Sequence, residues 1–106
     1  MRDSIKKAVG ETVQDLINSG FKTSFTEKEL NSLGVTIPEV QLTTLQIKEI
    51  REELNLSQAV FARLLNVSPS SIRQWEQGKR KPTGATRVLL DLLKRSPHIL
   101  NYRLRA

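Results

Sequence analysis

Residues 56–78 of the chain read LSQAVFARLLNVSPSSIRQWEQG, and this stretch decides the fold. It contains two helix starts. Ser57 is a natural N-cap, and Ser68-Pro69 combines a second N-cap with a first-turn proline, a position where the missing N–H costs nothing. Gly78 is typical of the residue that closes a helix. The stretch therefore predicts two helices separated by a turn of three to four residues.

Such a short turn makes the two helices cross closely, which places demands on particular positions. The first helix needs a small residue at the contact, and the turn needs a residue that tolerates a positive φ. Ala62 meets the first demand, and Asn66 meets the second because asparagine visits the left-handed region more readily than most residues. Val67, Ile72 and Trp75 then supply the apolar contacts that lock the second helix against the first.

Helical periodicity continues from residue 44 to residue 106, with short breaks at 55–57, 66–68, 78–83 and 96–97. Ahead of the quoted stretch, apolar residues recur near the 3.6-residue period at Leu45, Ile47, Ile50 and Leu54. Beyond it, a second apolar stripe consists of Val88, Leu89, Leu92 and Leu93, and Leu90 lies outside that stripe. A short final helix carries more apolar surface than a terminal turn normally exposes, at Ile99, Leu100, Tyr102 and Leu104.

Residues 1–43 form a separate arm in this interpretation. Apolar spacing predicts an amphipathic helix that ends at Gly20 and carries Ile5, Val9, Val13, Leu16 and Ile17. Thr26 and Glu29 have the form of a capping box before a second helix. Residues 35–37 and 40–42 alternate like edge-strand pieces on either side of Pro38. The arm has too little apolar material for a core of its own, so it must pack on something.

We therefore predict an all-α fold, with a five-helix domain at 44–106 preceded by a small arm at 1–43. The arm is expected to be helical with a short edge strand. The 106 residues leave room for one small domain plus such an arm and no more.

Composition excludes several classes of function. The chain has no cysteine and a single histidine, His98, which excludes thiolate nucleophiles, cysteine-based zinc sites and paired-histidine chemistry. No carboxylate pair, glycine-rich phosphate loop or nucleophile–base set stands out. We expect no catalytic residues, no cofactor and no metal. No apolar run approaches the ~18 residues of a membrane span and no secretory signal is visible, so we expect a cytoplasmic protein without a membrane partner.

The charge is unevenly placed along the chain. The formal net charge is +6, but residues 1–43 carry five basic groups against six acidic ones, which leaves +7 for residues 44–106. Such a field favours a polyanionic partner, with nucleic acid first and an anionic membrane second.

At the quoted residues the sequence resembles the helix-turn-helix of the lambda-repressor/Cro family, also called XRE. The resemblance covers roughly residues 44–95 and includes the family's helix-start Gln58, Ala62, Val67, Ile72, the run 75–78, and Pro82 after basic residues. Asn66 stands where the family often has glycine. The resemblance implies a recognition helix that enters the major groove of DNA.

On that implication, the exposed side chains of the recognition helix read bases, and neighbouring ones hold phosphates. The predicted base readers are Ser70, Arg73 and Gln74, with arginine suited to guanine and glutamine to adenine. Pro69 stands where many relatives carry a polar base-contacting residue. The predicted phosphate ligands are Gln58, Ser68, Ser71, Lys79, Arg80 and Lys81. The alternatives are an Arg73 that only pairs with Glu76 or Gln77, and a basic run that is only a solvated loop.

The family generally binds palindromic operators in double-stranded DNA as a two-fold dimer. We expect a homodimer with Ile99, Leu100, Tyr102 and Leu104 in or near its interface. The whole chain looks like HigA-type antitoxins, which neutralise a RelE/HigB-like mRNA-cleaving toxin and repress their own operon. The mildly acidic arm suits docking on a basic toxin, for example by strand addition. Two alternatives stay open: a free-standing XRE-family transcriptional regulator without a toxin partner, and a helix-turn-helix module that bridges proteins without reading DNA.

Overall fold

A computed structural model of the protein describes residues 11, 13–15, 18–20 and 24–105. Two compact units follow one another along the chain, Met1–Glu39 and Val40–Ala106. The functional division after residue 43 stays a prediction. Within the part of the chain that the structure describes, no helix is long and apolar enough to cross a membrane.

The described residues of the first unit include two helical segments. Residues 11, 13–15 and 18 are helical and lead into a turn at Gly20, whose φ is +80°. Of the predicted first helix, Val13 and Gly20 fall among the described residues, and Ile5, Val9, Leu16 and Ile17 lie outside them. Helix α1 spans Glu27–Ser32, and its capping box is confirmed: the Thr26 side chain accepts from the Glu29 N–H, and the Glu29 side chain accepts from the Thr26 N–H.

The predicted edge strand was wrong. Residues 35–43 are irregular, and the described residues contain no strand. The Val35 N–H donates to the Leu30 carbonyl, a bond that closes the end of α1 rather than starting a ladder. Alternation of apolar and polar residues favours a strand only where a neighbouring strand can pair with it, and the described chain provides none.

The second unit contains four α-helices and a final 3-10 helix, as the all-α prediction required. They are α2 (Thr44–Glu53), α3 (Gln58–Leu65), α4 (Pro69–Glu76), α5 (Gly84–Arg95) and the 3-10 helix Asn101–Arg103. The predicted N-caps of α3 and α4 are confirmed, because Ser57 accepts from the Val60 N–H and Ser68 accepts from the Ser71 N–H. Thr83 occupies the N-cap position of α5 but makes no side-chain cap bond.

The turn between α3 and α4 has the predicted geometry. Asn66 ends α3 with φ 59° and ψ 45°, in the left-handed region. The Val67 N–H donates to the Ala62 carbonyl at 2.9 Å, and the Ala62 side chain is completely buried where the helices approach each other. The chain can therefore reverse within a few residues and place α4 across α3.

The core of this unit joins the four α-helices and Leu100, the residue that precedes the 3-10 helix. Its buried side chains are Ile47, Ile50, Phe61, Ala62, Leu64, Leu65, Ile72, Trp75, Leu90, Leu93 and Leu100. Ile72 and Trp75 anchor α4, as predicted, so the indole of Trp75 serves packing. The opposite side of α4 is left to solvent.

The predicted apolar stripe of α5 was shifted around the helix. Leu90, which the stripe omitted, is fully buried together with Leu93, whereas Val88 and Leu92 are exposed. At 3.6 residues per turn, Leu89, Leu90 and Leu93 fall within one arc of about 100°, and this arc faces the core. A helix with apolar residues on both sides of that arc does not reveal from sequence alone which side is buried.

The C-terminal segment is tied to α3 rather than forming a full helix. The Arg103 Nε donates to the Leu64 carbonyl at 3.0 Å, and Arg103 Nη2 donates to the Arg63 carbonyl at 3.5 Å, so a guanidinium satisfies carbonyls at the end of α3. Leu100 is buried in the core. Ile99, Tyr102 and Leu104 are exposed, and Tyr102 is 70% exposed.

Candidate nucleic-acid interface

The outward face of α4 carries the three predicted base readers. Ser70 and Arg73 are exposed and Gln74 is half-buried, while Ile72 and Trp75 point the other way into the core. The structure thus brings the three together on one face of one helix. Their contact with bases stays a prediction.

Sequence reasoning missed one further side chain on this face. Gln77, the C-cap of α4, is exposed and lies one turn beyond Arg73 and Gln74. Gln77 lies four residues after Arg73 and three after Gln74, and residues at these spacings share one face of a helix. This spacing was a signal that could have found it. Because it lies at the C-terminal end of the helix, it is farther from the end that a recognition helix presents to the groove.

The two serines predicted to hold phosphates bond to each other at the start of α4. Ser68 Oγ accepts from the Ser71 N–H at 3.1 Å, and the two hydroxyl oxygens are 2.8 Å apart. One of the hydroxyls therefore donates to the other, and the second retains a proton for an outside acceptor. Pro69 contributes no N–H here, so the serine hydroxyls and the Ser70 N–H are the polar groups that this end of the helix can offer.

The basic loop after α4 begins with a tight helix ending. Gly78 has φ +73°, its N–H donates to the Trp75 carbonyl, and the Lys79 N–H donates to the Gln74 carbonyl at 2.9 Å. These paired bonds form a Schellman motif, which requires a left-handed residue at the position of Gly78. Lys79, Arg80 and Lys81 follow at once and are exposed.

The cations of this loop lie beside a further one. Arg80 and Lys81 line a cleft of about 350 Å³ together with Arg87 of α5 and Thr44 of α2. Arg87 was not among the predicted site residues, because it falls within a helix rather than in the basic run. Arg87 is thus the third positive side chain that lines this cleft, after Arg80 and Lys81.

A partly buried ion pair fixes α4 relative to α2. Arg51 Nε donates to Glu76 Oε2 at 2.7 Å and Arg51 Nη2 donates to Glu76 Oε1 at 2.9 Å, with side chains only 14% and 6% exposed. Arg51 Nη1 also donates to the Leu56 carbonyl ahead of α3. One guanidinium therefore bonds to the end of α4 and to the segment that leads into α3.

Gln58 belongs to the same network. Its Nε2 donates to Glu76 Oε1 at 3.3 Å, so the amide predicted to bind a phosphate is oriented by a carboxylate of the recognition helix. Gln58 retains a second N–H on that nitrogen. The alternative in which Arg73 pairs with Glu76 is wrong, because the Glu76 carboxylate is bound by Arg51 and Gln58. Sequence reasoning missed the network because its members lie up to 25 residues apart.

The network shifts the titration of both charged groups. Burial alone would raise the pKa of Glu76, but hydrogen bonds from Arg51 and Gln58 and the positive charge of Arg51 outweigh it, so the pKa lies below its ordinary value of 4.5. The hydrogen bond to Glu76 raises the pKa of Arg51 above its ordinary value. A carboxylate with a lowered pKa contributes stability that is fully present above the ordinary value and is lost as the pH falls through the lowered one.

Comparison with known proteins agrees with this geometry. The helix-turn-helix family matches residues 47–90, from α2 into α5. Antitoxin HigA-2 of Vibrio cholerae serotype O1 is 33% identical over 101 residues, which cover 95% of this chain and 93% of that protein. The type II methyltransferase M.SsoII of Shigella sonnei is 41% identical over 56 residues, which cover 49% of this chain but 15% of the methyltransferase. That small share carries no argument for methyltransferase activity, and the comparisons point to a DNA-binding regulator rather than an enzyme.

The ion pair yields a stability prediction. Glu76→Gln removes the charged partner of a largely shielded Arg51, so we expect the free energy of unfolding in urea to fall by about 1.5–3 kcal/mol near neutral pH. The double variant Arg51→Met with Glu76→Leu should recover most of that loss because it leaves no unpaired charge. The difference between wild type and Glu76→Gln should begin to shrink as the pH falls below 4.5 and should be lost as the pH falls through the lowered pKa of the folded Glu76 carboxyl.

The matched control is Arg95→Ala, which removes an exposed pair with Asp91 at 3.0 Å on α5. That change should cost about 0.5 kcal/mol or less. Equal, small losses from Arg95→Ala and Glu76→Gln would contradict a structural role for the pair between Arg51 and Glu76.

Proposed function

Because the chain belongs to the HigA-type antitoxin family of helix-turn-helix proteins and is a DNA-binding regulator, we propose that it is the antitoxin of a type II toxin–antitoxin system. In this role residues 1–43 neutralise a RelE/HigB-like mRNA-cleaving toxin. Residues 44–106 bind a palindromic operator as a homodimer and repress the operon. The observation that carries the proposal is that the similarity to antitoxin HigA-2 covers 95% of the chain, and therefore includes the arm as well as the helix-turn-helix.

The described part of the arm offers a surface suited to a basic partner. A cleft of about 440 Å³ is lined by Glu27, Leu30, Asn31, Val35, Thr36 and Ile37, and the Ile37 side chain is 86% exposed. An isoleucine so exposed beside a carboxylate suits a partner that supplies both an apolar pocket and a cation.

The second unit offers the surface for DNA. On this proposal Ser70, Arg73 and Gln74 contact base edges from α4. Phosphates are held by Gln58, Ser68, Ser71, Lys79, Arg80 and Lys81. These side chains occupy the start of α3, the start of α4 and the loop after it, so the phosphate ligands flank the readers along the chain on both sides.

The exposed apolar residues near the C-terminus suit the contact between two copies. The side chains that face solvent are those of Ile99, Tyr102 and Leu104, whereas Leu100 is buried in the core and anchors the segment there. Exposed apolar side chains clustered within six residues are typical of a contact surface.

The antitoxin role is tested by growth rescue. A RelE/HigB-like ribonuclease encoded in the same operon is induced alone or together with this chain, and we expect co-expression to restore growth. Ile37→Asp should abolish the rescue while leaving operator binding intact, and Lys28→Ala, at an exposed residue of α1 outside the cleft, is the control that should rescue like wild type. An operon without such a gene, or a toxin that the wild-type chain fails to neutralise, would favour the free-standing regulator.

The reading role of Arg73 is tested on operator and unrelated DNA. Arg73→Ala should cost about 1–3 kcal/mol on the operator and much less on unrelated DNA, so that sequence preference is relaxed. Lys79→Ala should weaken binding to both DNAs about equally and should flatten the dependence of log K on log salt by about one unit. Uniform losses from both variants would make Arg73 a phosphate ligand, and affinity that does not depend on salt would favour a protein-bridging module.

The dimer is tested by sedimentation at micromolar concentration. Tyr102→Asp places a charge among the exposed apolar residues and should shift the protein from dimer to monomer, because burying an unpaired carboxylate is costly. Leu45→Asp is the matched control, because Leu45 is 63% exposed on α2 and lies outside the proposed interface. A wild-type monomer, or a Tyr102→Asp variant that remains dimeric, would refute this interface.

A further inference from the structure

The loop after α4 reaches back to one of the proposed base readers. Arg80 Nη1 lies 3.2 Å from Gln74 Oε1, and the Arg80 N–H lies 3.3 Å from the Gln74 carbonyl oxygen. We propose that this contact makes Arg80 a specificity-determining residue, which turns Gln74 from a reader of adenine into a reader of guanine. The proposal rests on the DNA-reading role of α4 given above.

The contact follows from the backbone. The Schellman motif at Gly78 directs the N–H groups of both Lys79 and Arg80 onto the Gln74 carbonyl. The Cα of Arg80 is thereby held near Gln74, and its side chain has to bridge only a short distance. Among the described residues, the side chains of Lys79 and Lys81 make no hydrogen bond to the Gln74 side chain, whereas that of Arg80 does.

The chemistry of the pair decides what Gln74 can read. A guanidinium carries only donors, so the atom of Gln74 that faces Arg80 must be the carbonyl oxygen. Gln74 then presents its NH₂ group outward. Arg80 keeps further N–H groups beside it, because one contact uses one of its five donors. The groups that Gln74 and Arg80 turn outward are therefore hydrogen-bond donors.

The major-groove edges of the bases differ in how they meet such a surface. Guanine presents two acceptors, N7 and O6, whereas adenine presents the N7 acceptor beside the N6 amino donor. A free glutamine matches adenine by accepting from N6 and donating to N7. The Gln74 oxygen has two lone pairs, but one is engaged by Arg80, and the cationic donors of Arg80 beside it disfavour the N6 amino donor of adenine. The sequence-based expectation that glutamine reads adenine is thus replaced by a preference for guanine at the base pair that Gln74 faces.

The test is selection from a library of randomised DNA duplexes by the full-length protein, with the selected sequences counted. Wild type should enrich guanine at the base pair whose preference disappears in Gln74→Ala. At that base pair Arg80→Ala should shift the preference from guanine to adenine by about tenfold, a value within the range for a bidentate base contact. Arg80→Lys keeps a donor beside Gln74 and should retain guanine. Arg80 is exposed, so these variants should fold like wild type, which circular dichroism checks.

Lys81→Ala is the matched control, since Lys81 is an exposed cation of the same loop. It should lower affinity for all sequences without changing any preference. Arg80→Ala behaving like Lys81→Ala, or wild type preferring adenine at the Gln74 base pair, overturns the inference while leaving the DNA-reading function intact. Failure of wild type to enrich any sequence would instead overturn the reading function, and the inference with it.

Discussion

The placement of α4 depends on one partly buried interaction, the ion pair between Arg51 and Glu76 that is joined by two hydrogen bonds. Apolar contacts such as those of Ile72 and Trp75 hold α4 against the core, but the hydrophobic effect has no direction and tolerates small rotations. A guanidinium and a carboxylate joined by two hydrogen bonds accept only a narrow range of positions. The pair therefore sets the rotation of α4, and with it the direction in which Arg73 and Gln74 point.

This constraint also reaches the start of α3. Glu76 accepts from the Gln58 amide, and Arg51 donates to the Leu56 carbonyl, so the position of Gln58 relative to α4 is set by the same charges. A protein that reads a duplex must present its phosphate ligands and its base readers at a fixed separation. The network joins Gln58, a proposed phosphate ligand, to the helix that carries the proposed base readers, through bonds that are largely shielded from solvent, where electrostatic interactions are stronger than at the surface.

Local signals in the sequence predicted most of the elements, because they act within a few residues. Ser57, Ser68, Asn66 and Gly78 each determine the backbone of their own turn, and the structure has the predicted caps and left-handed residues there. What could not be predicted depends on partners distant along the chain. The buried face of α5, the missing strand at 35–43, the pairing of Arg51 with Glu76 and the bond from Arg80 to Gln74 all required knowledge of which surfaces meet.

The number of readers on α4 has a consequence for assembly. Pro69 offers only apolar contact and a serine is permissive, so on the proposed function each copy has two strong readers, Arg73 and Gln74. At about 1–3 kcal/mol for each good base contact, one copy discriminates by about 2–6 kcal/mol. Specific regulators typically exceed their own non-specific binding by about 4–10 kcal/mol. One copy therefore falls at the low end of that range, whereas two copies on a symmetric site reach its middle.

The positive charge of residues 44–106 cannot supply the difference, because attraction to phosphates strengthens binding to every sequence alike. Discrimination at this level thus favours a paired arrangement of α4, independently of the apolar residues that would hold the pair together.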